Sequence, residues 1–339
     1  MIKDMLLQRR LPELKTREEM LEILQREEYG YLPEKPEKFE YELQDVKVSN
    51  CCAGKAEIKR VILNVTISGK KFSFPVMQVI PTTEGEHPFF IHINFRPDVP
   101  DWYLPVEEII DKGFAVLSFC YKDVTTDDND FTNGLAGVLY PDGKRSATDA
   151  GKISMWAWAA HRVMDYAETN NQLDVRKCCV CGHSRLGKTA LLASATDCRF
   201  SVAYSNDSGC SGAAITRDKV GEDVYEITQR FPYWFCENYF KYRHNEQNMP
   251  FDQHYLLAAI APRKVYVGSA EEDLWADPTS EFLCCVAAGS AFKNGFIHNN
   301  RLPEMGEKYH EGDVGYHVRK GKHYFSREDW NNLIAFLKK

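Results

Sequence analysis

Short apolar runs bounded by turn residues recur through the middle of this chain, and they limit its fold more than any other feature. Phe89–Phe95 (FFIHINF), Phe114–Cys120 (FAVLSFC), Cys178–Cys181 (CCVC) and Val265–Ala270 (VYVGSA) are the clearest, and Phe200–Ser205 (FSVAYS) is a weaker one. Runs of this length suit strands buried on both faces of a parallel sheet. Helical patterns lie between them. Ile153, Trp156, Ala157, Ala160, Val163, Met164 and Ala167 share one helical face; Leu191, Leu192 and Ala195 begin another; Phe282, Val286, Ala287 and Phe292 form a third; Trp330–Leu337 closes the chain. Ahead of these, Arg60–Ser68 and Phe72–Ile80 flank a Gly-Lys-Lys turn and read as a hairpin. An antiparallel start followed by alternating strands and helices predicts an α/β fold: a doubly wound, mostly parallel sheet with helices on both faces.

Residues 1–33 are charged and helical in pattern, so 1–35 is expected to form a helical extension packed on the core, with 36–339 a single α/β domain. The stretch 216–255 breaks the alternation and is rich in Phe, Tyr and Trp, which suggests a helical cap or insertion beside the site. Charge narrows the partners. Lys and Arg number 42 against 49 Asp and Glu, a formal charge of −7, which argues against nucleic acid and anionic membrane surfaces. No run of 18 apolar residues occurs, and the first twenty residues lack the apolar core of a signal peptide. That gives a cytoplasmic reading, or a secreted one if an export signal has been removed. Of eleven cysteines, several are adjacent in sequence (Cys51-Cys52, Cys178-Cys179, Cys284-Cys285), which suits reduced thiols. In KCCVCG they read as small buried strand residues, not as metal ligands.

The stretch Cys181-Gly-His-Ser-Arg-Leu-Gly-Lys-Thr189 follows a strand and opens a helix, and two chemistries fit it. Gly182, Gly187, Lys188 and Thr189 satisfy the phosphate-loop pattern G-x-x-x-x-G-K-[ST], with Lys188 for phosphate oxygens and Thr189 for Mg²⁺, the signature of an NTPase. The same residues fit a nucleophile elbow, with Ser184 on the sharp bend and a helix N-terminus beneath a developing oxyanion. An elbow needs an acid and then a histidine further on. Asp207 follows the weak strand; Glu271, Glu272 and Asp273 follow VYVGSA; His323 lies in RKGKHYF before the last helix. His298, His310 and His317 compete with His323, whose place before the final helix favours it. One departure from G-x-S-x-G is plain: Leu186 stands at the second glycine position and the glycine comes at 187.

GHSRLGK, then NDSGCSGAA, SAEEDLWADP and a GKH before a Trp-containing helix together resemble the glucuronoyl esterases of carbohydrate esterase family 15. The resemblance runs from about Phe89 to Trp330. It implies an α/β-hydrolase fold, no metal or cofactor, and a serine esterase cleaving esters of glucuronic acid, in that family those joining xylan to lignin alcohols. By the same resemblance Ser184 is the nucleophile, His323 the base and Arg185 the oxyanion ligand. Lys188, Glu222 and Trp275 then contact the sugar. The acid is left open between Asp207 and Asp273. A sugar acetyl esterase on the same scaffold is the alternative among hydrolases, and the expected ligand is a small or oligosaccharide uronic-acid ester.

Overall fold

The structure, a computed structural model, describes residues 2–47 and 51–339. Ten strands form one sheet: β1 (Lys38–Asp45), β2 (Ala56–Ile67), β3 (Lys70–Pro81), β4 (His87–Asn94), β5 (Ala115–Cys120), β6 (Leu173–His183), β7 (Val202–Asn206), β8 (Lys264–Ala270), β9 (Lys308–Tyr309) and β10 (Val314–Arg319). Their order is β1-β2-β3-β5-β4-β6-β7-β8-β10-β9. Pairing is parallel from β5 through β10 across the centre and antiparallel at both margins. This is the α/β-hydrolase arrangement, and it places the C-terminal ends of the central strands, where open α/β sheets bind ligands, on one edge.

Side-chain alternation along the strands sorts the core onto two faces. In β6, Cys178 and Val180 join the large cluster that also takes in the helices Lys152–Ala167, Arg185–Thr196 and Pro278–Ala288. Cys179 and Cys181 point the other way, into the cluster with Trp330, Leu333 and Phe336 of the last helix, Arg327–Leu337. All eleven cysteines are free thiols. Among the described residues, no helix is long and apolar enough to cross a membrane.

Three strands are absent from the apolar runs, and one of them, β9, is only two residues long. β1 is a mostly exposed edge strand, FEYEL with charges throughout, and β10 (Val-Gly-Tyr-His-Val-Arg) buries a histidine and an arginine. The stretch 216–255 carries the helix Val224–Arg230 and three short 3₁₀ segments, and its last two residues open the helix His254–Ala258. The N-terminal residues form helices Ile2–Arg9 and Arg17–Leu24 and a π-turn, Gln25–Tyr29. The second helix begins at a capping box on Thr16 and Glu19. The Arg17 side chain donates to the carbonyls of Ala195 and Ala259, the Trp158 indole donates to Glu34 O, and Tyr29 donates to Ser211 O.

Glu28 is fully buried in this seam, its two carboxylate oxygens accepting from Gln253 Nε2 at 3.0 and 3.1 Å. Burial raises its pKa from 4.5 to about 8, offset in part by the Gln253 and Ser211 hydrogen bonds. The unfolded chain therefore loses this proton near pH 4.5 while the folded chain keeps it until about pH 8. Stability from this group is complete below pH 4.5 and declines as pH rises to about 8. Glu28→Gln, which keeps the acceptor and cannot ionise, should gain stability relative to the parent on going from pH 5 to pH 8, read by urea unfolding at both. A pH-independent difference would show that Glu28 is already ionised in the fold.

Candidate active site

β6 ends at His183, and the helix Arg185–Thr196 begins two residues later. The reversal is made by Ser184 alone, at φ 57° and ψ −125°. Few non-glycine residues adopt this conformation, and it carries roughly 1–3 kcal/mol of strain. The neighbours leave the chain no room to relax. A Cβ on Gly182 would come 2.3 Å from Leu186 O, and one on Gly187 would come 2.8 Å from Ser205 Oγ and 3.1 Å from Ser208 Cβ. The helix thus packs against β7 through Gly187, which explains why the second glycine comes one residue late and why Leu186 is accepted. Ser184 N–H donates to Asn206 O at 2.8 Å, tying the bend to the end of β7.

His323 sits on the loop after β10, and its Nδ1 lies 2.5 Å from Asp273 Oδ2, on the loop after β8. Its side chain is 44% exposed, while that of Asp273 is 6% exposed. Asp207 takes no hydrogen bond from His323. It holds a positive φ of 45°, accepts from Ala270 N–H at 2.7 Å, and faces Arg319 Nη2 and Tyr324 N–H at 3.4 Å each. Burial, with Asp329 and Glu281 near, pushes its carboxyl well above the usual range. Ligand atoms of Asp207, Asp273 and His323 nonetheless all lie within 4.8 Å of one another. His183 packs its ring 4.4 Å from that of His323 and donates from Nδ1 to Asn206 Oδ1 at 2.7 Å. Burial, and then the His323 ring, pushes His183 down to about 3, so its ring is neutral. The competing histidines lie elsewhere: His317 is buried between Asp329 and Tyr266, His310 pairs with Tyr266, and His298 stacks on Phe296.

A cavity of about 340 Å³ is lined by Ser184, Arg185, Lys188, Asp207, Glu222, Asp273, Trp275 and His323, together with Arg230, Phe231 and Trp234. Arg185 is ion-paired to Asp127, and its guanidinium lies 4.7 Å from the Trp234 ring centroid and 5.2 Å from that of Phe231. Asp127 also accepts from Tyr121 Oη and Trp234 Nε1, each at 2.8 Å. Its loop is anchored by buried Lys152, whose ammonium donates to Thr126 O at 2.6 Å and Asp130 O at 2.8 Å. Nothing in the turn-forming run Thr-Thr-Asp-Asp-Asn-Asp singles out Asp127, because two of its three partners, Arg185 and Trp234, come from distant segments. Trp234 and Phe231 lie in the aromatic stretch 216–255, whose composition is the only hint of them.

The phosphate-loop reading fails on these contacts. Lys188 is buried and donates to Ser208 O and, at 2.6 Å, to Cys210 O, with Glu222 at 3.9 Å. Burial lowers its pKa, and Glu222 works against that shift. Thr189 donates back to Arg185 O at 2.9 Å within the helix. Both side chains that should meet phosphate and Mg²⁺ are committed to the protein interior, and the bend exposes Ser184 instead of a row of N–H groups.

The parallel sheet, the strained serine bend and the histidine on the last strand's loop define the α/β-hydrolase class. The family model "Glucuronyl esterase, fungi" matches residues 63–294. A glucuronoyl esterase structure from Solibacter usitatus superposes with a TM-score of 0.86 at 34% identity, covering 96% of this chain and 92% of that one. Carbohydrate esterase MZ0003, from an unknown prokaryotic organism, is 40% identical over 236 residues, 68% of this chain and 54% of its own length. The 4-O-methyl-glucuronoyl methylesterase of Podospora anserina is 28% identical over 305 residues, 86% of this chain and 58% of its length. The chain belongs to the glucuronoyl esterases, carbohydrate esterase family 15. It spans between about half and two thirds of the length of these curated relatives. Neither the NTPase nor the acetyl-esterase alternative finds support in them.

The strain at Ser184 can be measured without reference to chemistry. Ser184→Gly should stabilise the fold by about 1 kcal/mol, the relief at positive φ exceeding glycine's larger unfolded-state entropy. Ser184→Ala keeps the strain and should not gain. Equal melting temperatures for the two variants would show that the bend is unstrained.

Proposed function

We propose that the protein is a serine esterase that hydrolyses esters of glucuronic or 4-O-methyl-glucuronic acid. The observation that carries this reading is the 2.5 Å contact of Asp273 with His323 Nδ1, in a cavity that Ser184 and His323 both line. With Nδ1 bonded to Asp273, His323 keeps Nε2 for the Ser184 hydroxyl. It takes the proton as Ser184 Oγ attacks the ester carbonyl, and Asp273 holds the tautomer and stabilises the imidazolium. Charge developing on the carbonyl oxygen is met by the Arg185 guanidinium and the helix N-terminus beneath Ser184, donors already fixed before the reaction. His323 then returns its proton to the leaving alcohol, and water releases the acid from Ser184 by the same steps reversed. The relatives named 4-O-methyl-glucuronoyl methylesterase support the acyl group. So does the cavity lining, where Glu222, set 3.9 Å from Lys188, offers an acceptor for sugar hydroxyls beside the half-exposed Trp275 ring.

Asp127 acts on this reading through Arg185. It fixes the guanidinium against Trp234 while leaving Arg185 Nε without a partner. Asp273 is the working acid. Asp207 is a buried strut that holds the β8 loop through Ala270 and the His323 loop through Tyr324.

Ser184→Ala should lower kcat on benzyl glucuronate by about 10⁴-fold or more with an unchanged circular dichroism spectrum. Substantial residual turnover would remove Ser184 from the reaction. Asp273→Asn should cost about 10³- to 10⁴-fold in kcat, by analogy with the orienting acid of other triads. Asp207→Asn, which keeps the side chain's size and one acceptor oxygen, should cost far less. The reverse ranking would make Asp207 the partner of His323.

A further inference from the structure

The sheet has a second edge, at the N-terminal ends of its parallel strands, and the reaction uses none of it. A groove of about 630 Å³ opens there, beside the starts of β4, β7 and β8, with Pro88, Phe114, Val202, Pro262 and Leu337 as its apolar lining. The length of β8, seven residues or about 20 Å, separates it from the catalytic edge. Seven of its lining residues are Lys or Arg and one, Asp313, is acidic, in a chain whose 49 acids outnumber its 42 bases. Asp313 is already engaged, accepting from Asn294 N–H at 2.8 Å and Asn294 Nδ2 at 3.1 Å.

Three of the seven cations are offset at the rim: Arg176 and Lys177 by Asp174, at 3.0 and 3.4 Å, and Lys339 by Glu311. The other four are not. Among the described residues, Lys112, Lys264 and Lys338 have no carboxylate partner. The Lys264 ammonium lies 5.3 Å from the Phe336 ring centroid instead. Arg263 donates from Nη1 to Ser194 Oγ, Asp197 O and Phe200 O, none of them a carboxylate, and its Nη2 is buried without a hydrogen-bond partner. Like charges gathered in this way repel, and a concave lining of one sign focuses its field on whatever enters. The acidic balance of the whole chain hides this local excess of positive charge.

The lining limits the anion. Lys177 on β6 and Lys264 on β8 stand two strands apart, about 10 Å. Spread point charges suit single carboxylates at intervals along a chain, whereas a lone phosphate is best held by a convergent arginine fork. A flat bilayer cannot enter a groove. Single-stranded nucleic acid needs an open aromatic face for its bases, and Phe114 is buried and stacked on Phe90 at 5.1 Å. Sugar rings that carry carboxylates offer a charge to each lysine and C–H faces to the proline and leucine lining. We propose that this groove is a second, non-catalytic binding site, and that its ligand is an acidic glycan, a polysaccharide bearing free uronate carboxylates. The choice of glycan rests on the esterase reading, in which each hydrolysis turns a neutral ester into a carboxylate on the sugar. The groove then holds the charged stretches of a chain and leaves the cavity to the neutral ester.

The test is binding, by titration calorimetry at low ionic strength, of glucuronoxylan in its free-acid form and of the same xylan with its carboxyls reduced to alcohols. The parent should bind the acid form and not the reduced one. The triple variant Lys112→Glu, Lys177→Glu, Lys264→Glu should lose about tenfold or more in affinity, and the difference should shrink at high salt. Arginine at the same three positions keeps the charge and should bind as the parent does. The kcat/KM on benzyl glucuronate should stay within about twofold in all three proteins, which also shows that the variants fold. Binding that survives the charge reversal, or that is equal for the reduced xylan, would overturn the proposal and leave the esterase reading intact. Equally tight binding of single-stranded DNA or of phosphatidylglycerol vesicles at the same lysines would overturn the choice of glycan. Charge-selective binding by a parent that hydrolyses no uronate ester would support the groove and remove the esterase reading.

Discussion

The bend at Ser184 is the constraint from which the rest of the site follows. A single residue reverses the chain between β6 and its helix, and the glycines at 182 and 187 let helix, strand and β7 close around it. That closeness exposes one hydroxyl at the sheet's C-terminal edge and sets a helix N-terminus beneath it. It also ties the bend to Asn206 at the end of β7, and Asn206 in turn anchors His183 and reaches Asp329 at 3.2 Å. Asp329 gathers Arg319 and His317 and caps the last helix together with Ser326. The loop that carries His323 is therefore fastened, through buried polar contacts, to the strand beside Ser184.

Charge is distributed around the bend with the same economy. Arg185 is held by Asp127 and enclosed by aromatic rings, Lys188 by carbonyls and Glu222, and Asp207 by Arg319 and backbone N–H groups. His183 is kept neutral against His323, so an imidazolium formed at His323 would meet a polarisable ring and not a like charge. Donors fixed in this way need no reorganisation when charge develops on the substrate, which is where most of the rate advantage of such sites arises.

Much of this architecture can be read directly from the residues, and the exceptions have physical causes. The central strands announce themselves because both faces are buried, and the elbow because a serine between a strand and a helix needs glycines beside it. β10 does not, because its buried His317 and Arg319 are matched by Asp329 of the last helix, a partner that meets them only once that helix packs back against the sheet. β1 is an edge strand whose outer face needs no apolar side chains. The choice between Asp207 and Asp273 depends on the direction in which a side chain leaves the backbone. The left-handed φ of Asp207 turns its carboxylate toward Ala270, and nothing in the spacing of the residues encodes that. Asp127 lies on a loop, where a residue's role depends on the distant groups that surround it.

Covalent capture tests the account most directly. Incubation with a fluorophosphonate, followed by peptide mass spectrometry, should place a single stoichiometric adduct on Ser184, and the adduct should be lost when His323 is replaced by alanine. An unlabelled protein, or an adduct on another residue, would contradict the claim that the strained bend presents a nucleophile activated by the imidazole of the C-terminal loop.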